Sequence, residues 1–388
     1  MLERLVDAFS GVPDPRCTGK VVHRLLDIVV IAVCAVIAGA ESWEDIALYG
    51  RMKRQWLSSI LELTGGIPSH DTFRRARSLI EPQAFERCFL AWAGNLAAGS
   101  PREVIAIDGK TMRGSFDTRR ALGPLHILSA FATERGLALG QLAVDGKSNE
   151  ITAIPELLDA LALEGTIVTL DAMGCQKTIA TKILEHKADY VLALKGNQGT
   201  LHRAVVALCA QQCFGRNAPQ RAVMDAFDDS HGRTVRRRAF ACAVDAQQAP
   251  FNAWPGLRQV LAVETIRQQP GKSTVADIRY YLSSCADAPE VLARAIRQHW
   301  GIENRLHWVL DVSFREDACR IHDRHAARVF AVLRKIAMNL IRQDAKSRAS
   351  LKGRRKQAAW SNDYMEQVLR STFQDPPNQK SHQVAIRA

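Results

Sequence analysis

VIAIDGKTMRGS, residues 104–115, and TIVTLDAMGCQ, residues 166–176, decide how this chain folds. Each opens with a short run rich in β-branched apolar residues and breaks at an aspartate, Asp108 and Asp171. Such runs read as buried strands that emerge at a sheet edge. Between them lie two more strand-like segments, His126–Thr133 and Leu137–Val144, and a helical segment, NEITAIPELLDALAL. Beyond Asp171 come a helix, QKTIATKILEHK, and a strand, YVLAL, ending at Lys195. The order β-β-β-α-β-α-β predicts a mixed α/β sheet with a parallel half and helical crossovers. In it the first and fourth strands are parallel neighbours, so Asp108 and Asp171 end adjacent strands about 5 Å apart. Ligands of such sheets collect at the carboxyl ends of strands where the winding reverses.

Two carboxylates held that close repel, and each keeps its proton unless a cation intervenes. Oxygen ligands near phosphate select Mg²⁺ or Mn²⁺. A third acid, Glu303 in RQHWGIENRLHWVLD, sits in a long helical pattern that begins near Pro289 and runs past Trp308. Packed on the sheet, it completes a set able to hold two ions about 4 Å apart. His307 and Asp311 follow Glu303 at helical spacing and are expected to support the site or act as alternative ligands. Trp300 and Trp308 read as core. Asp145 in VDGK echoes the IDGK at Asp108, but this strand order puts it about 10 Å away. An isolated Asp-Gly is an ordinary turn. The Asp108–Asp171 pair in this topology is what points to metal chemistry on nucleic acid.

The 388 residues carry 52 Lys and Arg against 40 Asp and Glu, a net charge of +12 that favours polyanionic partners. Nine cysteines without a C-x-x-C pair support neither a disulfide framework nor a zinc ribbon and fit a reducing cytoplasm. LLDIVVIAVCAVIAGA, residues 25–40, is interrupted by Asp27 and falls short of a membrane span of about 20 residues. It reads as a buried helix, so no membrane partner is expected. No Walker-type phosphate loop, G-x-S-x-G or H-E-x-x-H occurs.

Five sections follow from the pattern. Residues 1–95 are all-helical, with helices over Leu25–Ala38, from Trp43, and over Gln55–Leu63. Gly65 and Gly66 then break the chain, and Ser69 or Asp71 caps a helix bearing Arg74, Arg75 and Arg77, a candidate DNA-binding face. Gly94–Pro101 reads as a linker. Residues 96–200 form the first part of the core, 201–286 an arginine-rich antiparallel β insertion, and 287–345 the helical completion of the core. Residues 346–388 form a basic tail in which Lys352, Arg354, Arg355 and Lys356 read as solvated. Lys195 points toward the acidic edge. His231 and Arg233, with Arg236–Arg238 in SHGRTVRRR, are candidate backbone contacts. His299 is either a satisfied polar group or a phosphate contact.

At these residues the chain resembles bacterial insertion-sequence transposases of the DDE type, in the H-repeat-associated group. DPRCTGKVVHRLLDIVVIAVCAVIAGAESWEDI and GIPSHDTFRR resemble the associated amino-terminal domain. AIDGKTMRGS, DGKSNEI, TLDAMGCQ, DYVLALKGNQ, HWGIENRLHWVLDVSFREDACRI and SLKGRRKQAAW resemble the catalytic half. The resemblance implies a ribonuclease-H-like core interrupted by a β-rich insertion before its last acidic helix. It implies Asp108, Asp171 and Glu303 as the metal-binding triad, with Mg²⁺ (or Mn²⁺) as cofactor. The implied partners are double-stranded DNA, as terminal inverted repeats and target, and a second copy of the chain in a synaptic homodimer. The implied location is the cytoplasm, at the nucleoid. One departure is plain: related transposases place Tyr, Arg and Lys around the glutamate, where this chain has Ile296, His299 and Leu310.

Overall fold

Val, Ile and Leu at successive positions of residues 104–107 and 167–170 suit strands buried on both faces, and both segments form them. The structure, a computed structural model, describes residues 2–370 except 17–18, 20, 98–101, 118–119, 145–149, 215–221, 231–232 and 272. Its strands are β1 (Val104–Met112), β2 (Leu125–Ala132), β3 (Leu137–Val144), β4 (Ile167–Leu170) and β5 (Asp189–Leu194), followed by β6 (Met224–Ser230), β7 (Arg233–Ala243), β8 (Gln259–Gln268) and β9 (Val275–Ser283). They form one sheet in the order β3-β2-β1-β4-β5-β9-β8-β7-β6.

The first five strands define the core. β1, β2 and β3 are an antiparallel meander, while β4 and β5 run parallel to β1. This order and these directions are ribonuclease-H-like. The segment read as an insertion joins the same sheet, because β9 pairs antiparallel with β5 over Val191↔Ser283 to Leu194↔Tyr280. β1 is longer than its apolar run suggests. Pairing with β4 stops at Ile107↔Leu170, but pairing with β2 continues through Asp108↔Ser129 to Met112↔Leu125. Asp108 therefore lies inside a strand, at the point where its parallel neighbour has ended.

The helices are α1 (Leu2–Ser10), α2 (Leu25–Ala38), α3 (Trp43–Met52), α4 (Arg54–Leu57), α5 (His70–Leu79) and α6 (Pro82–Ala97) before the sheet. Within and after it come α7 (Glu150–Asp159), α8 (Lys177–Glu185), α9 (Gly199–Cys209), α10 (Pro289–Gly301), α11 (Trp308–Phe314), α12 (Arg324–Gln343), α13 (Leu351–Trp360) and α14 (Asn362–Arg370). Two local expectations change. The Gln55–Leu63 helix is a single turn, α4, and Gly94–Ala97 continues α6 rather than starting a linker. Ser69, not Asp71, caps α5, accepting from the Thr72 N–H at 3.3 Å.

α2 is buried from Ile28 to Ile37 on every face, which requires neighbours all round. They are α1, α3, α12 and α13. α12, itself buried along most of its length, lies between these helices and β3, and Trp43 meets Phe330 edge-on at 4.6 Å. Thus the helical amino-terminal section and the sheet share one hydrophobic core. Among the described residues no single helix is long and apolar enough to cross a membrane.

The basic cluster of α13 is not wholly solvated. Arg355 is buried, donates from Nη2 to Val36 O at 2.9 Å and from Nε to Ile37 O at 3.3 Å, and stacks over Phe314. It satisfies carbonyls in the last turn of α2, where intrahelical partners run out. Burial lowers its pKa to about 10, the Glu41 charge opposing. Arg355→Ala removes both bonds and the stacking, so we expect a loss of about 2–4 kcal/mol in urea unfolding. A loss below about 0.5 kcal/mol, the scale of ordinary surface substitutions, would contradict this role.

Candidate metal centre

The end of β4 creates the site. Asp171 is the first residue past β4, beside Asp108 on β1. Its Oδ1 accepts the backbone N–H groups of Met173 at 2.9 Å and Gly174 at 3.2 Å, a turn that fixes the carboxylate. Glu303 arrives from the helical side. α10 passes into a π-helical turn, Ile302–His307, before α11 resumes. A widened turn of this kind re-aims side chains and recurs at functional sites. Here Ile302 and Leu306 are buried while Glu303 is exposed.

The charges of Asp171 and Glu303 both reach Asp108. The Asp108 carboxyl is pushed up to about 7, first by burial, then by the charge of Asp171, with Glu303 and Glu150 adding to it against the Gly109 N–H. Glu303, though exposed, is also raised, because its carboxyl is partly desolvated by its neighbours, with Arg279 opposing. A group of oxygen ligands held at this mutual cost in free energy suits a hard divalent cation.

α10 and the segment from the π turn into α11 place the remaining candidates. His299 Nδ1 is 2.9 Å from Thr169 Oγ1 on β4, and burial lowers its pKa to about 4 despite Asp171, so it is neutral near pH 7. His307 Nδ1 lies 3.6 Å from Asp108 Oδ2, and burial with nearby Lys335 and Lys110 lowers it to about 3. A neutral imidazole therefore packs against the carboxylate without forming an ion pair. Asp311 turns instead to Lys110, with Oδ1 2.6 Å from Nζ. Four helical residues advance about 6 Å and two strand residues about 6.6 Å, so 307 and 311 match 108 and 110 along β1.

Lys195 is exposed and lines a cleft of about 590 Å³ together with Asp171, His299, Glu303, Arg279 and Trp300. Arg279, on β9, lies over the Trp300 ring at 5.2 Å and pairs with Asp277 at 3.1 Å.

Residues 99–340 match the family model described as a Transposase DDE domain, and residues 6–93 match its associated domain, DDE_Tnp_1-associated. The chain belongs to the DDE transposase family. It is 43% identical over 95% of both chains to "Putative transposase YncI" of Escherichia coli O157:H7. It is 41% identical to "H repeat-associated putative transposase YhhI" of E. coli K12, over 95% of this chain and 98% of that one. A piggyBac transposase synaptic complex with hairpin DNA aligns with a TM-score of 0.45 and 12% identity, over 96% of this chain and 80% of that one.

Other candidate residues of this DDE family member lie away from the acids. Arg74 and Arg75 on α5 line a separate groove with Trp43, Arg320 and His322, and Arg74 pairs with Asp71 at 2.9 Å. Arg233 opens β7, while His231 and Asp145 fall outside the described residues. Trp308 is 57% exposed, and Trp300 lines the cleft; neither is a core residue. Ile296 and Leu310, at the signature positions for Tyr and Lys, are buried.

Sequence reading missed three things. Arg279, in a β strand far from any acidic motif, gave no signal. Lys110 had one: it shares a strand face with Asp108. The third is a buried pair behind Asp108, His126 Nε2 to Glu150 Oε1 at 2.6 Å. A Cβ on Gly109 would overlap both side chains, which explains the glycine in IDGK.

Proposed function

We propose that the protein is a DNA transposase that hydrolyses a phosphodiester at each terminal inverted repeat of its element. The freed 3′ hydroxyl then attacks target DNA. The placement of Asp108 on β1 where parallel β4 ends, with Asp171 directly past that end and the charge of Glu303 reaching Asp108, is the observation that carries this reading. Asp108, Asp171 and Glu303 would hold divalent Mg²⁺ or Mn²⁺, and a pair of such ions supplies activation of the attacking oxygen and stabilisation of the leaving one. The chain's own residues do the rest. The Asp171 turn and β1 hold two carboxylates rigidly, so little reorganisation accompanies the reaction. Lys195 and Arg279 offer cations to the scissile strand, in place of the missing signature Arg and Lys. Neutral His299 can hydrogen-bond a phosphate oxygen through Nε2 if its proton resides there. Arg74, Arg75, His231 and Arg233 are proposed DNA backbone contacts, and two copies of the chain would hold two ends. DNA binding would place the protein at the nucleoid in the cytoplasm.

The test uses a DNA fragment bearing the inverted repeats that flank the gene, with Mg²⁺. Nicking at the repeat ends and joined products in the wild type, lost in Asp171→Ala with binding intact, supports the reading. Binding without nicking by the wild type would favour a degenerate DNA-binding relative. Buried Ile296 and Leu310, where the signature has polar groups, motivate that second reading.

Arg279→Ala is expected to slow cleavage roughly 10–100-fold, less than a fully buried donor would because its charge is partly screened. The slope of binding against salt should also flatten by about one phosphate contact. Unchanged cleavage and slope would remove Arg279 from the site.

A further inference from the structure

We propose that Cys209, Cys213 and Cys242 form a binding site for a thiophilic metal ion, with Zn²⁺ the natural occupant to test. Their three sulfurs lie within 4.8 Å of one another, and all three residues are buried. Cys213 and Cys242 sulfurs are 3.1 Å apart. Thiolates sharing one zinc at about 2.3 Å stand about 3.8 Å apart, so shifts of about 1 Å convert this cluster into a metal cradle.

The local structure is built to bring the sulfurs together. α9 passes at Cys209 into a second π-helical turn, Ala210–Phe214, which carries Cys213. Cys242 comes from β7, 29 residues further on. Two ligands on one helical face and a third from a strand is an ordinary way to tie a helix to a sheet. Phe214 and Phe240, stacked edge-on at 5.0 Å, supply an apolar surround in which an unbridged thiolate would be costly.

Three thiols binding one ion release three protons and leave a fourth position for water or another outside ligand, since no fourth His, Cys, Asp or Glu joins the group among the described residues. The site would brace the wall of the acidic cleft. Tyr280 on β9 lines that cleft and lies within electrostatic reach of Cys209 and Cys213. This inference does not depend on DNA cleavage, because the cysteines stand apart from the three acids.

The test is titration of the full chain with Co²⁺ after reduction and chelator treatment. The expected result is one equivalent producing a near-ultraviolet sulfur-to-cobalt charge-transfer band, displaced by Zn²⁺, which ions on the carboxylates cannot give. The band should vanish in Cys242→Ser and persist in Cys34→Ser. Saturating Zn²⁺ should raise the Tm by several degrees. No band in the wild type, or a band that survives Cys242→Ser, overturns the proposal. So does a Cys213–Cys242 disulfide whose reduced form takes up no cobalt. If Cys242→Ser does not fold, mapped alkylation of the wild type decides: Zn²⁺ must protect these three thiols, and equal labelling with and without Zn²⁺ overturns the site.

Discussion

Asp108→Asn will abolish DNA cleavage, by about 10³-fold or more, and will make the metal-free protein more stable. The first effect follows because the amide is a neutral, weak ligand at the centre of the three acids. The second follows from the sign of the shift. Asp108 titrates near 7 in the folded chain against 3.8 for the ordinary group, because burial and then Asp171 disfavour its charge. Between about pH 4 and pH 7 the folded protein binds more protons than the unfolded one, so stability falls as pH rises through that window. Asn removes this slope. At pH 8 the variant should gain about 2–4 kcal/mol over the metal-free wild type, and the gain should disappear near pH 4. Mg²⁺ should raise the wild-type Tm and leave the variant nearly unmoved. Urea unfolding at the two pH values checks the stability, and a variant that still cuts within tenfold of wild type would refute the assignment.

Lys110→Ala should be the most destabilising single change near the site, about 3–5 kcal/mol. Lys110 Nζ lies 2.6 Å from Asp311, 3.0 Å from Glu316 and 3.0 Å from Asp317. Burial works against its charge, but Glu316 and the hydrogen bonds that Lys110 donates to Asp311 and Asp317 more than offset this and raise its pKa. Glu316 is buried at 2% exposure; burial alone would raise it, yet Lys110, Lys335 and Arg334 hold it low. Taking Lys110 away leaves an excess of buried negative charge between β1 and the segment after α11. Stability from a depressed carboxylate is present above its unfolded pKa of about 4.5 and lost as pH falls through the folded one. The deficit of Lys110→Ala should therefore be largest at neutral pH and shrink below about pH 4 as Glu316 protonates. Chemical denaturation across that range measures it; a deficit below about 1 kcal/mol at pH 7, or one independent of pH, would contradict the network.

Much of this architecture was legible in local pattern. The β-branched runs before Asp108 and Asp171 implied neighbouring parallel strands, and β1 and β4 pair in that way. The apolar stretch of α2 announced a buried helix, and the structure buries it on every side. What escaped were features that depend on partners distant in sequence. The apolar run stops at Ile107, so nothing marked the five further residues that β1 gains by pairing with β2. Arg355 looks like surface charge until α2 presents its terminal carbonyls to it. Arg279 and Cys242 acquire meaning only when β7 and β9 fold beside α9 and α10. Helical spacing did align Glu303, His307 and Asp311, but the π turn and β1 divide their tasks: His307 faces Asp108, and Asp311 faces Lys110.

The most direct test of the central claim is anomalous diffraction from crystals of the protein grown with Mn²⁺. The account predicts manganese peaks touching Asp108, Asp171 and Glu303 together, with Asp108 bound in its ionised form. Manganese bound elsewhere, or carboxylates of Asp108 and Asp171 too far apart to share an ion (more than about 8 Å), would contradict it.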